Sequence, residues 1–315
     1  MTVTGTATSR AEPEAIKAIP VRHPGRWVAV VVIAVLAAMF VHMLVTNHAF
    51  QWGFMRDNAF RPPVLEGVRT TVLLTVCSMA IGIALGIVLA VMRLSDNPIL
   101  RSAAWLFVWF FRAVPRYVLL TLCGNLGILF SQWRFGVPFG SQIASLLGFD
   151  SSLTVFGLDS NAIASGFTAG LIGLALSEAA YMAEIVRAGI SSIDAGQTEA
   201  AQALGMSRGL TTRRIVLPQA MRVIVPPTGN ETIAMLKDTS LVVAVPVSIE
   251  LFFQLEAIGS RTFQIFPMLV AACLWYLALS SLLMIGQYFL ERRYSRGFGG
   301  ERSQAVAVPT VGGNH

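Results

Sequence analysis

The chain has 315 residues, of which 55% are hydrophobic and 13% are charged, and its mean hydropathy is +0.66. This composition excludes an ordinary soluble domain, in which about a quarter of the residues are charged. The net charge of +6 does not indicate nucleic-acid binding, because the basic residues cluster at the ends of apolar runs, where they orient a membrane protein. These runs have the length of about 20 residues that a helix needs to cross a bilayer.

Taken in chain order, the apolar runs predict an all-α, polytopic membrane bundle of six transmembrane helices. The predicted spans are 27–46, 68–92, 103–129, 162–188, 239–256 and 266–290. No short apolar core of a cleavable signal peptide precedes Trp27, so the first span is expected to be retained. The fifth span contains Pro246 and Glu250, and it is included because six spans place both termini on one side of the membrane.

The basic residues outside the spans are distributed unevenly between the two sides of the predicted membrane. Most lie in the terminal tails and in the segments 93–101 and 187–222, whereas the opposite loops contain Arg56, Arg61, Arg134 and Arg261. By the positive-inside rule, both termini are cytoplasmic. The tail 1–26 is therefore predicted to be cytoplasmic, as is the tail 291–315, whose Gly-rich and polar composition predicts disorder.

The cysteines and several glycines inside the spans are expected to serve helix packing. Cys77, Cys123 and Cys273 all fall in predicted spans, where an unpaired thiol packs as a small apolar side chain. The four histidines have no ligand spacing, so no metal site is expected. Gly82 and Gly86 form a small-xxx-small pair, which predicts the close approach of another helix.

A polar segment with three arginines, EAAQALGMSRGLTTRRIVLPQA, separates the fourth and fifth predicted spans at 199–220. Its helix-forming residues predict a short helix over 198–204, a turn at Gly205 and a second helix over 210–216. The first helix is expected to be capped by Asp194 or Thr198. The same region contains three prolines that are expected to break helices, namely Pro218, Pro226 and Pro227.

The first helix of this segment has a small apolar face that is suited to a partner's groove. Ala200, Ala201 and Leu204 would supply that face, in the manner of a helix that docks into a groove. The alternative interpretation is a solvated loop whose arginines only set the membrane topology. The regular order of EAA, Gly205 and IVLP favours docking over a generic polar loop.

The segment 199–220 resembles the EAA loop of ABC-importer permeases, which contacts a cytoplasmic ATPase. The flanking segments 176–207 and 217–241, and FFRAVP at 110–115, are similar to those of the polar amino acid branch of these importers. The resemblance covers about 66–290, the five-span permease core, with the coupling loop at 194–220. The span 27–46 is an addition outside that core.

The resemblance implies a permease subunit that moves a polar amino acid across the bacterial cytoplasmic membrane by alternating access. The implied partners are a second permease subunit, two ATP-binding subunits and an extracytoplasmic solute-binding protein, besides the amino acid and the bilayer. ATP and Mg²⁺ would be held by the ATPase, and this chain would bind no cofactor. The implied contacts with the ATPase come from Glu199, Ala200, Ala201, Leu204, Gly205, Ile215, Leu217 and Pro218.

Charged side chains within a bilayer are costly unless they are paired or face water, so they mark candidate pathway residues. Arg112 lies in the third predicted span, and Glu178 and Tyr181 share one face of the fourth at i, i+3. The residues predicted to line the pathway or its gate are Arg112, Glu178, Tyr181, Lys237 and Asp238. The alternative is an interhelical salt-bridge network that holds the bundle together.

Other charges near the spans receive different interpretations. Glu231 and Asp238 share a helix face at i, i+7, whereas Lys237 points about 100° away. Glu184 and Arg187 are expected to form a structural pair near the cytoplasm. Arg116 departs from the family pattern, which has an apolar residue after the proline of this element, and Ala113-Val114 replaces the usual Gly-Thr.

Three other functions are less compatible with the sequence. The chain cannot hydrolyse ATP itself, because neither of its lysines, Lys17 and Lys237, stands in a GK[ST] phosphate-binding loop. No HExxH, GxSxG or paired-Asp pattern supports a membrane-embedded enzyme. A secondary transporter or channel that works without an ATPase would explain the intramembrane charges, but it would not explain the EAA segment.

Overall fold

The computed structural model describes residues 24–126, 132–136, 140–146, 154–159, 166–245 and 249–294, in two compact units. The first unit, 1–50, contains α1 (Pro24–Thr46) and a 3₁₀ turn (His48–Phe50). The remainder of both predicted tails, 1–23 and 295–315, lies outside the described residues. So do 127–129 and 162–165 of the third and fourth predicted spans.

The second unit, 51–315, is built mainly of helices. They are α2 (Trp52–Ala59), α3 (Pro62–Arg93), α4 (Pro98–Ala113), α5 (Arg116–Gly124), α6 (Gly140–Leu146), α7 (Gly166–Ser191), α8 (Ala195–Ala203), α9 (Arg208–Thr211), α10 (Leu217–Asp238), α11 (Leu251–Thr262) and α12 (Ile265–Tyr294). A π-helical turn (Thr212–Val216) joins α9 to α10, and a 3₁₀ helix (Thr239–Ala244) follows α10. The predicted all-α class is confirmed.

Two short strands are an addition that the sequence analysis did not anticipate. β1 (Gln132–Gly136) and β2 (Thr154–Asp159) pair in antiparallel register, with Gln132 opposite Asp159. They lie in the connection between the third and fourth predicted spans. A two-stranded element of this size leaves the helical architecture unchanged.

Four helices in the described residues are long and apolar enough to cross a membrane. They are Gly25–Thr46 of α1, α3, α7 and α12, and they correspond to the first, second, fourth and sixth predicted spans. The pair α4 and α5 adds a fifth candidate if the two helices count as one broken span. The described residues thus contain four or five segments that are long and apolar enough to cross a membrane.

Glycines on α3 allow it to pack directly against α7. A methyl group at Gly82 would lie 2.7 Å from Cγ of Glu178, and one at Gly86 would lie 2.5 Å from Cβ of Met182. Neither position has room for a side chain. The close helix approach that the small-xxx-small pair predicts is confirmed, and it brings the backbone of α3 against the charged middle of α7.

The third predicted span, 103–129, is wrong as a single helix. The chain bends by 100° between α4 and α5. Val114 is extended at φ −87° and ψ 131°, because the ring of Pro115 disfavours helical backbone in the residue before it. The bend places Arg116 in the first turn of a new helix.

The fifth predicted span, 239–256, is also not one helix. The 3₁₀ helix ends at Ala244, and α11 starts only at Leu251. Glu250 caps the start of α11, because its side chain accepts hydrogen bonds from the backbone amides of Phe252 and Phe253. Residues 246–248 of this predicted span lie outside the described residues. The helix that follows the polar segment is instead α10, which packs against α3, α7 and α12.

The predicted helix breaks at Pro218, Pro226 and Pro227 are wrong. Pro218 occupies the first turn of α10, where no helical partner for its missing N–H is required. Pro226 and Pro227 lie inside α10, which continues through them. An internal proline costs a helix about 3 kcal/mol. Packing of the neighbouring residues Ile224 and Val225, which are buried in the bundle, offsets this cost.

Candidate functional site

The polar segment folds as a short capped helix, α8. The Asp194 carboxylate accepts a hydrogen bond from the backbone N–H of Gly196 at 2.6 Å, so the predicted cap at Asp194 is confirmed. The helix spans Ala195–Ala203, which is close to the predicted 198–204. The second predicted helix, 210–216, is present as the short α9 and the π-helical turn that leads into α10.

Gly205 ends α8 in a left-handed conformation with φ at +79°. The N–H of Gly205 donates to the carbonyl of Gln202 at 2.9 Å, and the N–H of Met206 donates to that of Ala201 at 3.0 Å. This is the hydrogen-bond pattern of a Schellman cap, which favours glycine because a side chain disfavours positive φ. The predicted turn at Gly205 is confirmed.

The residues predicted to contact the ATPase lie in or just after α8 and around the start of α10, and they differ in solvent exposure. Leu204 is 84% exposed, and Glu199, Ala200, Gly205, Leu217 and Pro218 are also exposed. Ala201 is buried, so it does not share the outward apolar face that was predicted for it, because its position on the helix points toward the protein. A 460 Å³ cleft beside α8 is lined in part by Ala200, Leu204, the half-buried Ile215 and the buried Ala201.

A second candidate site lies where α5, α7 and α10 meet. The Arg116 Nη1 atom is 2.5 Å from Oδ2 of Asp238, and its Nη2 atom is 3.0 Å from Oε2 of Glu178 and 3.7 Å from Oε2 of Glu231. The Glu178 side chain is fully buried, and the Arg116 side chain is 13% exposed. We call these four residues the Arg116 cluster.

Tyr181 links the Arg116 cluster to an adjoining cavity. Its ring centre is 4.7 Å from Cζ of Arg116 and 5.4 Å from Cζ of Arg112, distances at which a guanidinium is attracted to an aromatic face. Tyr181 and Arg112 also line a 400 Å³ cavity together with Arg93, Trp105, Trp109 and Glu184. The cavity therefore carries both signs of charge and aromatic surface.

The structure brings together most of the predicted pathway residues, but not all of them. Glu178 and Asp238 belong to the Arg116 cluster, and Tyr181 and Arg112 lie beside it. Lys237 is exposed and forms no ion pair with the residues that the structure describes. Its separation from Asp238 follows from the turn of about 100° between adjacent helical residues.

The central cation and one carboxylate of the cluster were absent from the predicted pathway set. Arg116 was noted only as a departure from a family pattern, although an unexplained charge in an apolar region is itself a signal. Glu231 was noted only for its spacing to Asp238, and both carboxylates do face Arg116. The distance between these positions in the sequence concealed their contact.

Two further acids, the half-buried Glu184 and the fully buried Glu250, serve structural contacts. The expected Glu184–Arg187 pair is confirmed at 2.7 Å, and Arg93 of α3 adds a second contact to Glu184 at 3.2 Å. Glu250 accepts hydrogen bonds from Thr71 Oγ1 at 2.8 Å and from Tyr276 Oη at 2.5 Å, besides those from the start of α11. Glu250 therefore joins α3, α11 and α12.

Comparison with known proteins assigns the chain to a family. The family model described as "Binding-protein-dependent transport system inner membrane component" matches residues 82–296. The "Arginine transport system permease protein ArgU" of Corynebacterium glutamicum is 45% identical over 293 residues, which cover 93% of this chain and 87% of that protein. The "Probable amino-acid ABC transporter permease protein YckA" of Bacillus subtilis is 33% identical over 252 residues, or 79% of this chain and 98% of that protein.

Solved structures agree with this assignment. A chain from the "Crystal structure of an amino acid ABC transporter with histidines" matches with a TM-score of 0.57 and 28% identity, over 74% of this chain and 94% of that chain. A chain from inward-facing MetNI methionine ABC transporter matches with a TM-score of 0.53 at 18% identity, which supports the fold alone. The chain belongs to the family of binding-protein-dependent transport system inner membrane components, and it is a transport subunit rather than an enzyme.

Proposed function

We propose that this chain imports an amino acid across the cytoplasmic membrane by alternating access, driven by a separate ATPase that docks on the segment 194–220. The observation that carries the proposal is α8, a capped helix that exposes Glu199, Ala200 and Leu204 beside a 460 Å³ cleft. An exposed leucine on a short, rigidly terminated helix is suited to insertion into a partner's groove.

Two ATP-binding subunits are proposed to act on a pair of permease subunits, of which this chain is at least one. ATP and Mg²⁺ would be held by the ATPase, and no cofactor would be bound by this chain. A solute-binding protein is proposed to deliver the substrate at the outer face. Movement of α8 is proposed to pass to α10 through the four-residue turn 204–207, α9 and the π-helical turn, which follow it in the chain.

We propose that the fifth crossing consists of α10 and the segments that follow it. Its midpoint would be the level of the Arg116 cluster, where Gly82 of α3 contacts Glu178. Glu250 contacts Thr71 of α3, which lies 11 residues toward the start of that helix, or about 16 Å along its axis. The chain between Asp238 and Glu250 would therefore cross the outer half without a continuous helix.

The proposed orientation has both termini and α8 in the cytoplasm. It can be tested with single cysteines at Ser207 and Arg261 in a chain whose three natural cysteines are replaced by alanine. A membrane-impermeant maleimide should label position 261 in intact spheroplasts and position 207 only after permeabilisation. Labelling of position 207 from the outside would overturn both the orientation and the proposed docking role.

An amino acid is proposed as the substrate because the related proteins named above are an arginine permease and a probable amino-acid permease. The proposed route passes the 400 Å³ cavity and the Arg116 cluster, which together present cations, carboxylates and aromatic rings. An amino acid carries a carboxylate and an ammonium group, so fixed charges of both signs suit it.

The function can be tested by uptake into proteoliposomes. The chain would be coexpressed with its ATP-binding subunit and second permease subunit, purified through a tag, and reconstituted with loaded solute-binding protein and internal ATP. We expect accumulation of at least one amino acid from a labelled panel, and none with a non-hydrolysable ATP analogue. Transport that needs no ATPase and follows an ion gradient would establish a secondary transporter instead.

A further inference from the structure

The Arg116 cluster has the composition of a binding site for a guanidinium group. We propose that Glu178, Glu231 and Asp238 form a substrate site for the cationic side chain of an amino acid, and that Arg116 occupies this site as a resident guanidinium which the substrate displaces. The inference rests on the proposed transport function and adds to it a substrate class and a role for Arg116.

The charges of the cluster are unequal. Three carboxylates face a single guanidinium, at distances of 2.5, 3.0 and 3.7 Å. Arg112 lies over the neighbouring Tyr181 ring but forms no ion pair with the residues described here. A structural ion pair in a low-dielectric interior is stable when its charges balance, whereas this site retains an excess of negative charge. That excess attracts a cationic ligand to the site.

One buried acceptor in the site also has no protein partner. Oε2 of Glu178 accepts a hydrogen bond from Arg116, whereas Oε1 of the same carboxylate is buried and accepts none from any described residue. A buried carboxylate oxygen without a donor is costly, so a ligand that supplies an N–H group would stabilise it. A guanidinium has five such N–H donors in one plane.

Arg116 is not placed where its own helix would favour a cation. It is the first residue of α5, and the N-terminus of a helix carries partial positive charge. Its position is therefore maintained by the carboxylates and by the Tyr181 face, which lies 4.7 Å from its Cζ. A free guanidinium ligand would make the same contacts with the carboxylates and the Tyr181 ring. When such a ligand binds there, Arg116 loses these contacts and is displaced.

The adjoining cavity provides room for this exchange. The cavity has a volume of 400 Å³ and is lined by Tyr181 and Arg112, among other residues. Arg116 contacts the Tyr181 ring. An arginine substrate with its side chain in the Arg116 cluster would extend its α-carboxylate away from the three acids. Arg112, which contacts the same Tyr181 ring and has no carboxylate partner in the described residues, is the cation that would accept that carboxylate.

The test measures direct substrate binding to the complete permease–ATPase complex, without the solute-binding protein. The probes are labelled L-arginine and L-citrulline, whose side chains match in shape but differ in charge. In the wild-type complex the tethered Arg116 competes at high effective concentration, so L-arginine should bind weakly. Arg116→Gln removes the competitor, and L-arginine should then bind about tenfold more tightly or better, whereas L-citrulline should show no gain.

Arg116→Lys keeps a cation but loses the two-pronged guanidinium contact. We expect an L-arginine affinity between those of the wild type and Arg116→Gln, and this variant serves if the Gln variant does not assemble. Arg187→Gln is the control, because it removes a cation from the same bundle away from the cluster, and Arg93 still contacts Glu184. Its L-arginine affinity should equal that of the wild type.

A purely structural ion-pair network makes the opposite prediction. If assembled Arg116→Gln or Arg116→Lys complexes bind L-arginine no more tightly than the wild type, or bind L-citrulline equally well, the proposal is overturned. Failure of the transport function itself is a different result, because the wild-type complex would then accumulate no amino acid with ATP. A complex that imports amino acids and shows no affinity gain in the variants rejects only the resident-guanidinium site.

Discussion

Arg116 and Asp238 form an ion pair of 2.5 Å between residues that are 122 positions apart in the chain. The pair joins the first turn of α5 to the last turn of α10. It therefore connects the broken third span to the helix that leaves the polar segment. If α8 drives α10 as proposed, this contact would connect that movement to the charged centre of the bundle.

This contact predicts non-additive effects of two substitutions. Asp238→Asn and Arg116→Gln should each lower the unfolding temperature of the purified complex, whereas the double variant should lose less than the sum of the two. Residues in direct contact typically show coupling of about 0.5–3 kcal/mol. Asp238→Asn combined with Arg187→Gln is the matched control and should be additive, because Arg187 lies nine residues beyond Glu178 along α7. Additivity of both pairs would contradict the energetic importance of the contact.

Local sequence patterns were sufficient to predict several features of the fold. Asp194, Gly205 and the Gly82–Gly86 pair were interpreted correctly, because capping, positive φ and close helix approach each depend on a few neighbouring residues. The all-α class followed from the length of the apolar runs.

The errors concern places where tertiary structure overrides a local rule. Arg112 and Arg116 would share a face in a continuous helix, but the chain bends by 100° between them, so they belong to different helices and only Arg116 pairs with the carboxylates that the structure describes. Pro226 and Pro227 remain inside α10 because the neighbouring helices pack around it. The contacts of Arg116 with Glu178 and Asp238 join distant positions that a single sequence does not relate.

The cap of α8 predicts that coupling depends on the backbone of Gly205. Gly205→Ala should reduce ATP-driven uptake several-fold while basal ATP hydrolysis persists, because alanine at φ +79° costs about 1–2 kcal/mol and loosens the end of the helix. No atom lies within 4 Å of the added methyl group, so a steric clash cannot explain the loss.

Gly209 provides a matched control for this prediction. It lies in the short helix α9, has no positive φ, and also has no atom within 4 Å of an added Cβ. Gly209→Ala should retain wild-type uptake and ATP hydrolysis, measured in the same proteoliposomes. Equal uptake by Gly205→Ala and the wild type would mean that this cap has no part in coupling.

Leu204 is predicted to be a principal contact with the ATPase. Burial of a leucine side chain contributes about 1.5–3 kcal/mol, so Leu204→Ala should weaken ATPase binding by roughly tenfold or more, and Leu204→Glu should weaken it further. The measurement is the amount of ATPase that copurifies with the tagged chain across a dilution series. Leu146→Glu is the control, because Leu146 is 86% exposed on the separate helix α6. Similar losses from both leucines would indicate a general effect on the membrane bundle.

Gly86 is predicted to be intolerant of any side chain. Gly86→Ala places a methyl group 2.5 Å from Cβ of Met182, which forces α3 and α7 apart and should cost about 1–3 kcal/mol. A lower unfolding temperature and a lower yield of assembled complex are expected. Gly286→Ala, on α12 where an added Cβ meets nothing within 4 Å, should be neutral or slightly stabilising. A wild-type unfolding temperature for Gly86→Ala would show that the α3–α7 contact is looser than described.

Replacement by glutamine is predicted to change stability at only one of two buried glutamates. Glu250 accepts four hydrogen bonds, two from side chains and two from backbone amides, so Glu250→Gln should lower stability by about 1.5–3 kcal/mol. Glu178 accepts one hydrogen bond, and its other oxygen has no donor in the described residues. Glu178→Gln should therefore leave the unfolding temperature close to that of the wild type.

The uptake rate per assembled complex is expected to depend on Glu178 and not on Glu250. Glu178→Gln removes one of the three charges that would hold a substrate cation, and uptake per assembled complex should fall at least about tenfold, in line with the loss of one charge-assisted contact. Glu250→Gln should reduce the amount of complex but not the uptake rate of each complex that assembles, because the Glu250 side chain forms hydrogen bonds only with Thr71, Tyr276 and its own helix among the described residues. Both quantities come from one experiment, in which uptake is divided by the quantity of reconstituted chain. A stable Glu178→Gln complex with full uptake would remove Glu178 from the pathway.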